Sequence, residues 1–379
     1  MEDFGGFCPV EIRYVTMEVL KKSLLGLRTG INVVLLLDDS LQKTFGFGDM
    51  VQQLSHRYRL IHIDRINANP TQEDIVNAIS RIGERKPDKI IAVGGGSTMD
   101  LAKAISALYS FLTVKYNTIT TITNLICAKT YQNAGKKIDM IMIPTTLSGS
   151  EVTKWATIWD LNKSAKFSIE DNLIYAKEIY LMPELTYHLP KRMALSTGLD
   201  ALCHAVEAFW AKQTNPIIQE LAVLAIKKIK NNLGASLKDP INKTAKNELR
   251  KGALLAGIAF SNTRTTACHS ISYPITLNYG VEHGFACALT LNQIAERNQP
   301  AVPETGVMLR EVFGDAKEGL KNWLQEVCNG IQPLTLSAFG IAEEEIEEIA
   351  KQAITIGRMD NNPVQFTHGD ILKILQECK

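Results

Sequence analysis

The first half of the chain alternates short apolar runs with amphipathic segments. Four runs rich in β-branched residues, at 31–37, 58–63, 89–93 and 140–143, predict strands. The segment 71–85 has apolar residues at helical spacing behind an Asn-Pro-Thr start signal, which predicts a helix. Short apolar strands separated by helices favour a parallel sheet that is covered by helices on both faces.

The second half of the chain has a different pattern. From about Pro190 nearly to the C-terminus, apolar residues recur at helical spacing rather than in short runs. The spacing is clearest in four segments: 217–232, 248–260, 315–327 and 343–358. We place a boundary near 182–192 and expect two domains, an α/β domain at 1–187 and an all-helical domain at 188–379.

Composition and charge narrow the functional classes. The 379 residues carry a net charge of +1, which gives no electrostatic basis for binding nucleic acid or an anionic membrane surface. No apolar run approaches the roughly 18 residues that span a bilayer, and residues 1–6 lack the basic and apolar regions of a signal peptide. The seven cysteines are scattered without a Cys-x-x-Cys pair, so we expect reduced thiols, no thiolate zinc site and a cytoplasmic location.

A glycine-rich turn follows the third predicted strand and opens a helix. It consists of Gly94, Gly95, Gly96 and Ser97, with Asp100 expected in the first helical turn. Glycines let the backbone turn tightly and approach a pyrophosphate, and free amides at a helix N-terminus favour negative charge. The turn therefore predicts a dinucleotide phosphate site, although a plain strand-to-helix turn looks the same in sequence.

Two further segments supply polar groups for such a site. Asp38 ends the first predicted strand, where a carboxylate can accept hydrogen bonds from an adenosine ribose and repel the 2′-phosphate of NADP. An ordinary surface-turn aspartate is the alternative. The loop 144–153 follows the fourth predicted strand, is rich in hydroxyl side chains and contains Thr145 and Thr146. These two threonines are candidates for binding a ribose or a phosphate.

Four residues of the second half have the types and spacing of a metal site. Asp200 and His204 are four residues apart, so both side chains project from one face of a helix. His269 and His283 follow later in the chain. One carboxylate and three imidazoles suit Fe²⁺ or Zn²⁺, with an open position for a substrate oxygen. Taken alone, the spacing of Asp200 and His204 is more often a surface pair or an N-terminal helix contact than a metal site, and His269 alone is compatible with a hydrogen-bonded core histidine.

Together, these segments resemble the iron-containing (group III) alcohol dehydrogenases. The resemblance keeps its order along most of the chain and rests on these blocks: 94–97, 100, 144–146, 149–153, 183–185, 189–190, 198–209, 215–216, 259–262, 283–284 and 362–363. It implies a nucleotide-binding α/β domain followed by an all-helical metal-binding domain, as in dehydroquinate synthases. It also implies NAD as cofactor (with NADP as the alternative), a divalent metal and a homodimer.

The same resemblance assigns roles to individual residues. The implied metal ligands are Asp200, His204, His269 and His283. The implied pyrophosphate contacts are Gly95, Gly96 and Ser97. Thr145 and Thr146 would lie near the nicotinamide half, and Lys166 would contact a ribose. Asp38 corresponds to the family position that is associated with NAD preference.

The chain departs from the family near the implied metal ligands. A histidine that is often credited with relaying a proton is replaced by Tyr273, so Tyr273 or a water chain would take that role. Where common members carry small apolar residues, this chain has an arginine and three hydroxyls at 263–266. Arg264, with Thr265 or Thr266, would hold an anionic group of the substrate. An arginine that ties the helix to an acidic neighbour is the alternative.

The sequence therefore predicts a metal-dependent, NAD-linked reductase of a small anionic aldehyde. The 263–266 block is similar to the phosphonoacetaldehyde reductase branch of the family, which makes phosphonoacetaldehyde the expected substrate. Three alternatives remain: a dehydrogenase of simple primary alcohols or 4-hydroxybutyrate, a dehydroquinate-synthase-like lyase, and a metal-dependent binding protein without catalysis. The lyase would need a different ligand set and several basic residues for a phosphate.

Overall fold

The computed structural model describes residues 7–112, 117–133, 137–160, 165–239 and 241–379. The chain forms two compact units, one of Met1–Thr146 with Ser150–Thr186 and one of Leu147–Gly149 with Tyr187–Lys379. Residues 1–6, on which the signal-peptide expectation rests, lie outside the described residues. No helix within the described ranges combines the length and the hydropathy that are needed to cross a bilayer.

A six-stranded parallel sheet forms the centre of the first unit. In spatial order its strands are β1 (Glu11–Tyr14), β8 (Glu178–Leu181), β5 (Asp139–Pro144), β4 (Lys89–Gly94), β2 (Asn32–Leu37) and β3 (Arg59–Ile63). The strands β2, β4 and β5 are buried along almost their whole length, as in a parallel sheet covered on both faces. The predicted parallel sheet is confirmed. The strands β1 and β8 are only four residues long, too short to give an apolar run in the sequence.

The first unit also contains an antiparallel hairpin and the helices that cover the sheet. The hairpin pairs β6 (Trp155–Asp160) with β7 (Ala165–Glu170). The helices are α1 (Met17–Leu25), α2 (Asp39–Gln42), α3 (Phe47–Arg57), α4 (Gln72–Ile82), α5 (Gly96–Leu108) and α6 (Ile119–Cys127), and a short α7 (Glu184–Tyr187) follows β8. The predicted helix at 71–85 corresponds to α4. A reciprocal cap between Thr71 and Asp74 starts α4, and Gly83 ends it.

The second unit consists of helices joined by loops, with no strand among its described residues. Its helices are α8 (Lys191–Trp210), α9 (Pro216–Lys238), α10 (Lys243–Thr263), α11 (Ala267–Tyr279), α12 (His283–Leu289), α13 (Leu291–Asn298), α14 (Glu304–Phe313), α15 (Gly319–Cys328), α16 (Ile346–Gln352) and α17 (His368–Gln376). The expected helix at 343–358 is shorter than predicted. It begins as a 3₁₀ turn at Glu343–Glu345, and α16 ends at Gln352. Just beyond that end, Ser270 Oγ of α11 donates to Ala353 O at 2.6 Å and accepts from the backbone N–H of Thr355 at 2.9 Å, so these groups bond to α11 rather than within a helix.

One glycine lets α12 pack directly against α8. A Cβ built on Gly284 would lie 1.8 Å from the carbonyl oxygen of Ser196, so only glycine fits there. Ser196 precedes Asp200 by one turn of α8, and Gly284 follows His283. The close approach of the two helices therefore brings His283 to the face of α8 that carries Asp200.

Candidate active site

Three neighbouring strands end where the sequence places the cofactor residues. The strands β5, β4 and β2 are adjacent and parallel, and Pro144 lies opposite Gly94. Segments that follow parallel strands emerge at one edge of the sheet, which is where α/β proteins bind ligands. The structure thus brings Asp38, the glycine turn, Thr145 and Thr146 to the same edge.

The glycine turn is packed too closely for larger residues. A Cβ on Gly94 would lie 2.1 Å from Thr98 Oγ1, and a Cβ on Gly95 would lie 3.1 Å from Thr146 Cγ2. The backbone N–H of Thr145 donates to Gly94 O at 2.8 Å and joins the turn to the end of β5. Glycine at these two positions therefore lets Thr98 and Thr146 pack directly against the backbone of the turn.

The helix α5 begins at this glycine turn. Gly95 is the residue before the helix, and Gly96 and Ser97 are its first residues, so their backbone N–H groups have no partner within the helix. Ser97 Oγ accepts a hydrogen bond of 3.1 Å from the backbone N–H of Asn69, which holds the neighbouring loop against the turn. Aligned amides and a helix N-terminus fit the two negative charges of a pyrophosphate.

Asp38 is a half-buried carboxylate that caps α2. It accepts a hydrogen bond of 2.9 Å from the backbone N–H of Ser40 and another from the Ser40 hydroxyl. Partial burial alone would raise the pKa of Asp38, but these hydrogen bonds outweigh it and hold the pKa below its usual value. A permanent negative charge therefore lies at the end of β2.

Asp100 differs from the sequence-based expectation. Because α5 begins at Gly96, Asp100 lies beyond the first turn of the helix, not within it. Its carboxylate accepts hydrogen bonds from Ser150 Oγ at 2.8 Å and from the backbone N–H of Thr157 at 3.1 Å. The expected first-turn position is therefore wrong, and these bonds tie α5 to the segment before β6 and to β6 itself. A cofactor contact by Asp100 stays a prediction.

Lys166 lies on β7, opposite Trp159 of β6. Burial raises the pKa of Asp100, and the charges of Lys103 and Lys166 oppose that rise. Lys166 is thus close enough to Asp100 to act on it electrostatically. Its predicted ribose contact stays a prediction.

The four predicted metal ligands converge on one carboxylate oxygen. The helix α8 supplies Asp200 and His204, while α11 supplies His269 and α12 supplies His283. The Nε2 atoms of the three histidines lie 3.8, 3.5 and 4.0 Å from Asp200 Oδ1, in chain order. The His204 ring stacks on the His269 ring with centroids 4.6 Å apart. Residues that are far apart in sequence are thus gathered around a single point.

Two atoms that face each other in this cluster are buried without a hydrogen-bond partner, and His204 Nδ1 is a third such atom. Asp200 and His269 are 8% and 3% exposed, and Asp200 Oδ1 and His269 Nε2 bond to no other group among the described residues. Buried polar atoms of folded proteins almost always have a partner. A divalent cation would satisfy both atoms, and carboxylate and imidazole ligands suit Fe²⁺ or Zn²⁺. The donor set therefore fits a metal ion.

The ionisation of Asp200 and His204 matches this use. Burial alone would raise the pKa of Asp200, but the imidazoles, His204 most strongly, outweigh it and hold that pKa well below its usual value. Burial lowers the pKa of His204 to about 3. A carboxylate and a neutral imidazole are the forms that bind a metal. Burial alone would lower the pKa values of His269 and His283, but neighbouring groups, Cys287 most strongly, outweigh it and raise both. The His283 side chain keeps 31% exposure, which leaves this side of the cluster open to a small molecule.

Glu207 orients His269 and was not predicted from the sequence. Its fully buried carboxylate accepts a hydrogen bond from His269 Nδ1, which turns Nε2 of that ring toward Asp200. It also accepts bonds from the backbone N–H of Thr266 at 3.1 Å and of Cys268 at 2.8 Å. Carboxylates that hold a metal-binding histidine in this way are a regular feature of metal sites. Its position seven residues after Asp200, on the same helix face, was the available signal.

Cys287 also lies in the cluster. The scattered cysteines predict no thiolate site, yet the ligand atoms of Asp200, His269, His283 and Cys287 all lie within 4.8 Å of one another. Burial alone would raise the pKa of the Cys287 thiol, but His269 and His283 lower it to about 7. Its spacing of four residues from His283 was the available signal.

Tyr273 lies beside the open edge of the cluster. Its ring stacks on the His283 ring with centroids 6.1 Å apart and an angle of 9° between the planes. The structure therefore places the predicted relay residue next to a predicted metal ligand.

Arg264 follows α10 in a strained backbone conformation. Its φ of 65° and ψ of 171° fall in a region that is populated almost only by glycine. The backbone N–H of Arg264 donates to Phe260 O at 2.8 Å, and the Phe260 ring stacks on His204 at 3.9 Å. Thr265 is buried, and its carbonyl, like that of Thr263, accepts a hydrogen bond from the Asn361 side chain. The loop that carries Arg264 is thus anchored beside the metal cluster.

Comparison with known proteins identifies the family. The model for iron-containing alcohol dehydrogenases matches residues 16–183, and the model for the C-terminal part of the Fe-containing alcohol dehydrogenase family matches residues 194–378. The chain belongs to the iron-containing alcohol dehydrogenase family. It is therefore an oxidoreductase by family, which excludes the dehydroquinate-synthase-like lyase that the fold alone left open.

Relatives within this family act on different alcohols and aldehydes. The chain is 33% identical to phosphonoacetaldehyde reductase of Streptomyces viridochromogenes, over 82% of each chain. It is 29% identical to long-chain-alcohol dehydrogenase 1 of Geobacillus thermodenitrificans, over 92% of this chain and 90% of the relative. A solved iron-containing alcohol dehydrogenase from Thermotoga maritima aligns with a TM-score of 0.83 at 26% identity, over 98% of each chain.

In this alcohol dehydrogenase, substitution of Gly284 by alanine is expected to lower the free energy of unfolding by about 2 kcal/mol, because the new Cβ would overlap the backbone of α8. The shift of α12 should also weaken metal binding, since His283 moves with it. Chemical denaturation and a metal titration measure the two effects.

Gly234 provides the matched control. It lies within α9, and a Cβ there would meet nothing within 4 Å. Alanine at this position is expected to stabilise the protein by about 0.5–1 kcal/mol through its better helix propensity. A Gly284→Ala protein as stable as the Gly234→Ala protein would contradict the close packing of α12 on α8.

Proposed function

We propose that the protein is a metal-dependent, NAD-linked reductase of small anionic aldehydes, with phosphonoacetaldehyde as the best candidate substrate. The observation that carries the proposal is the strained backbone of Arg264 beside the metal cluster. Folding retains such a conformation where the surroundings over-determine it, and such residues gather at functional sites. A guanidinium pairs well with phosphonate or carboxylate oxygens.

Each part of the site has a separate task in this reaction. When bound, NADH supplies a hydride, and a divalent ion draws electron density from the substrate carbonyl. Asp200, His204, His269 and His283 would hold the ion. Arg264, with Thr265, would fix the anionic tail and so orient the carbonyl carbon. The Thr266 hydroxyl does not fit this task, because it is buried, donates to Glu207 at 2.7 Å and accepts from Trp210 Nε1 at 2.9 Å. Tyr273, or water beside it, would pass a proton to the product oxygen.

The preference for NAD over NADP rests on Asp38. Its carboxylate lies at the end of β2 at the same sheet edge as the glycine turn, and its pKa is held low. A negative charge there would accept hydrogen bonds from the ribose hydroxyls and repel a 2′-phosphate. The glycine turn, with Gly95, Gly96 and Ser97, would hold the pyrophosphate. The 33% identity to phosphonoacetaldehyde reductase supports the choice of substrate.

The test follows NADH and NADPH oxidation by the purified protein loaded with Fe²⁺ or Zn²⁺. Phosphonoacetaldehyde, succinic semialdehyde and propanal are offered side by side to the wild-type protein and to Arg264→Ala. We expect phosphonoacetaldehyde with NADH to give the highest kcat/KM, and Arg264→Ala to lower it roughly 10- to 100-fold, as the loss of charged hydrogen bonds predicts.

The other outcomes separate the alternatives. Equal losses on propanal would remove the anionic-substrate proposal and favour the neutral alcohols used by the long-chain-alcohol relative. A strong preference for succinic semialdehyde would point to 4-hydroxybutyrate. No NADH or NADPH oxidation with any of the three aldehydes, in protein shown to hold metal, would point to a substrate class outside these three.

A further inference from the structure

Cys287 lies one helical turn after the metal-binding candidate His283. Residues four apart project from the same face of a helix, so the Cys287 thiol and the His283 ring point to the same side of α12. Cys287 is fully buried, and its Sγ lies 3.7 Å from His283 Nε2 and 3.9 Å from His283 Nδ1. The sulfur is therefore in contact with the ring that the site would use as a ligand.

The sulfur completes a compact group of four ligand atoms. Those of Asp200, His269, His283 and Cys287 all lie within 4.8 Å of one another. Four ligands around Zn²⁺ at the usual bond lengths of about 2.0–2.3 Å would lie roughly 3.3–3.8 Å apart. A contraction of at most about 1.0–1.5 Å would bring the group to that geometry, which side-chain rotations can supply.

Two members of this group are buried polar atoms without a hydrogen-bond partner, which a cation would satisfy. They are Asp200 Oδ1 and His269 Nε2, the facing pair described above, and both belong to the same group as Cys287. A buried cysteine is more often a small packing residue. Cys203 and Cys268 are also buried in this unit, but neither belongs to the group of ligand atoms. Cys287 therefore differs from Cys203 and Cys268 because its sulfur lies in the same group as the two unpartnered atoms.

We propose that Cys287 supplies a thiolate ligand to the metal ion held by Asp200, His269 and His283, and that this sulfur biases the centre toward Zn²⁺ over Fe²⁺. The inference rests on the metal centre of the proposed function but not on its substrate. Thiolates favour softer ions such as Zn²⁺, whereas a carboxylate and imidazoles alone accommodate Fe²⁺ readily. His204, with Nε2 at 3.8 Å from Asp200 Oδ1, is near enough to share the ion with the sulfur.

The test examines the metal directly, without substrate. X-ray absorption at the zinc edge of the zinc-loaded protein is expected to show one sulfur at about 2.3 Å among nitrogen and oxygen ligands. The cobalt-substituted protein is expected to show a thiolate-to-cobalt charge-transfer band in the near ultraviolet. Both signals should vanish in Cys287→Ser and persist in the matched control Cys203→Ser. Zn²⁺ should bind Cys287→Ser at least about 10-fold more weakly, with a smaller change for Fe²⁺.

Several outcomes would overturn the inference. A zinc-loaded wild-type protein without a sulfur shell would overturn it, even if that protein reduced aldehydes normally. A sulfur signal retained in Cys287→Ser would assign the ligand to another cysteine. If Cys287→Ser fails to fold, Cys287→Ala replaces it, and the wild-type spectra still decide. Loss of the aldehyde preference with an intact sulfur signal would contradict the proposed substrate and leave the ligand assignment standing.

Discussion

Substitution of Asp200 by asparagine is expected to lower turnover by at least about 1,000-fold. All three histidine Nε2 atoms lie within 4.0 Å of Asp200 Oδ1, so this oxygen is the centre of the donor set. Asparagine keeps the shape of the side chain but removes its charge and weakens it as a metal ligand. A bound divalent ion stabilises the transition state by several kcal/mol, and about 4 kcal/mol corresponds to a factor of roughly 1,000 in rate.

Two measurements separate this effect from misfolding. Metal content after dialysis should fall in Asp200→Asn, whereas NADH binding, followed by fluorescence, should stay near the wild-type value because the glycine turn belongs to the other unit. Asp315→Asn is the control, since Asp315 is an exposed carboxylate that bonds only to its own turn. Turnover within about threefold of wild type in a metal-depleted Asp200→Asn protein would contradict the metal-dependent mechanism.

The sequence predicted the sheet because its inner strands are buried on both faces. The runs at 31–37, 89–93 and 140–143 read as continuous apolar segments for that reason, and they became β2, β4 and β5. The exposed edge strand β1 carries no such signal, since a four-residue strand with one buried face has almost no pattern to detect. The end of the last predicted helix was misplaced because the backbone after Gln352 bonds to Ser270 of α11, a contact between residues far apart in the sequence.

The sequence predicted those site residues that lie on a single helix at a regular spacing. Asp200 and His204 share one face of α8, and their spacing alone indicates it. Glu207 escaped detection because its role depends on the loop before α11 folding back to offer its N–H groups. Cys287 escaped because its place beside Asp200 depends on how closely α12 packs on α8, which is a property of tertiary structure rather than of composition.

For Asp100, the sequence predicted the correct helix but the wrong position within it. The glycine turn was recognised, but α5 begins at Gly96, so Asp100 lies beyond the first turn of the helix. The Asp100 carboxylate accepts hydrogen bonds from Ser150 and Thr157 instead. A helix start that is misplaced by one or two residues moves a side chain into or out of the first turn, where the free backbone N–H groups lie. Residue roles near helix ends are therefore the least secure part of such a prediction.

Replacing Arg264 by glycine is expected to separate stability from substrate preference. Removing the guanidinium should lower kcat/KM for phosphonoacetaldehyde roughly 10- to 100-fold, with little change for propanal. At the same time glycine adopts the φ of 65° and ψ of 171° without penalty, which relieves about 1–3 kcal/mol of backbone strain. The substitution should thus cost the protein its preference for anionic aldehydes while making the fold more stable.

Arg264→Ala is the matched comparison, because alanine also lacks the guanidinium but retains the strain. The two variants should lose activity on phosphonoacetaldehyde to the same extent, while glycine should give the larger free energy of unfolding by about 1 kcal/mol, once its greater flexibility in the unfolded chain is counted. Equal stabilities would mean that the loop relaxes around alanine, so that the conformation is no evidence of function. A stability gain without a change in aldehyde preference would mean that Arg264 supports the loop, with the anionic group held elsewhere. If the strained backbone of Arg264 is retained because it positions the guanidinium, then the residue serves substrate binding rather than folding.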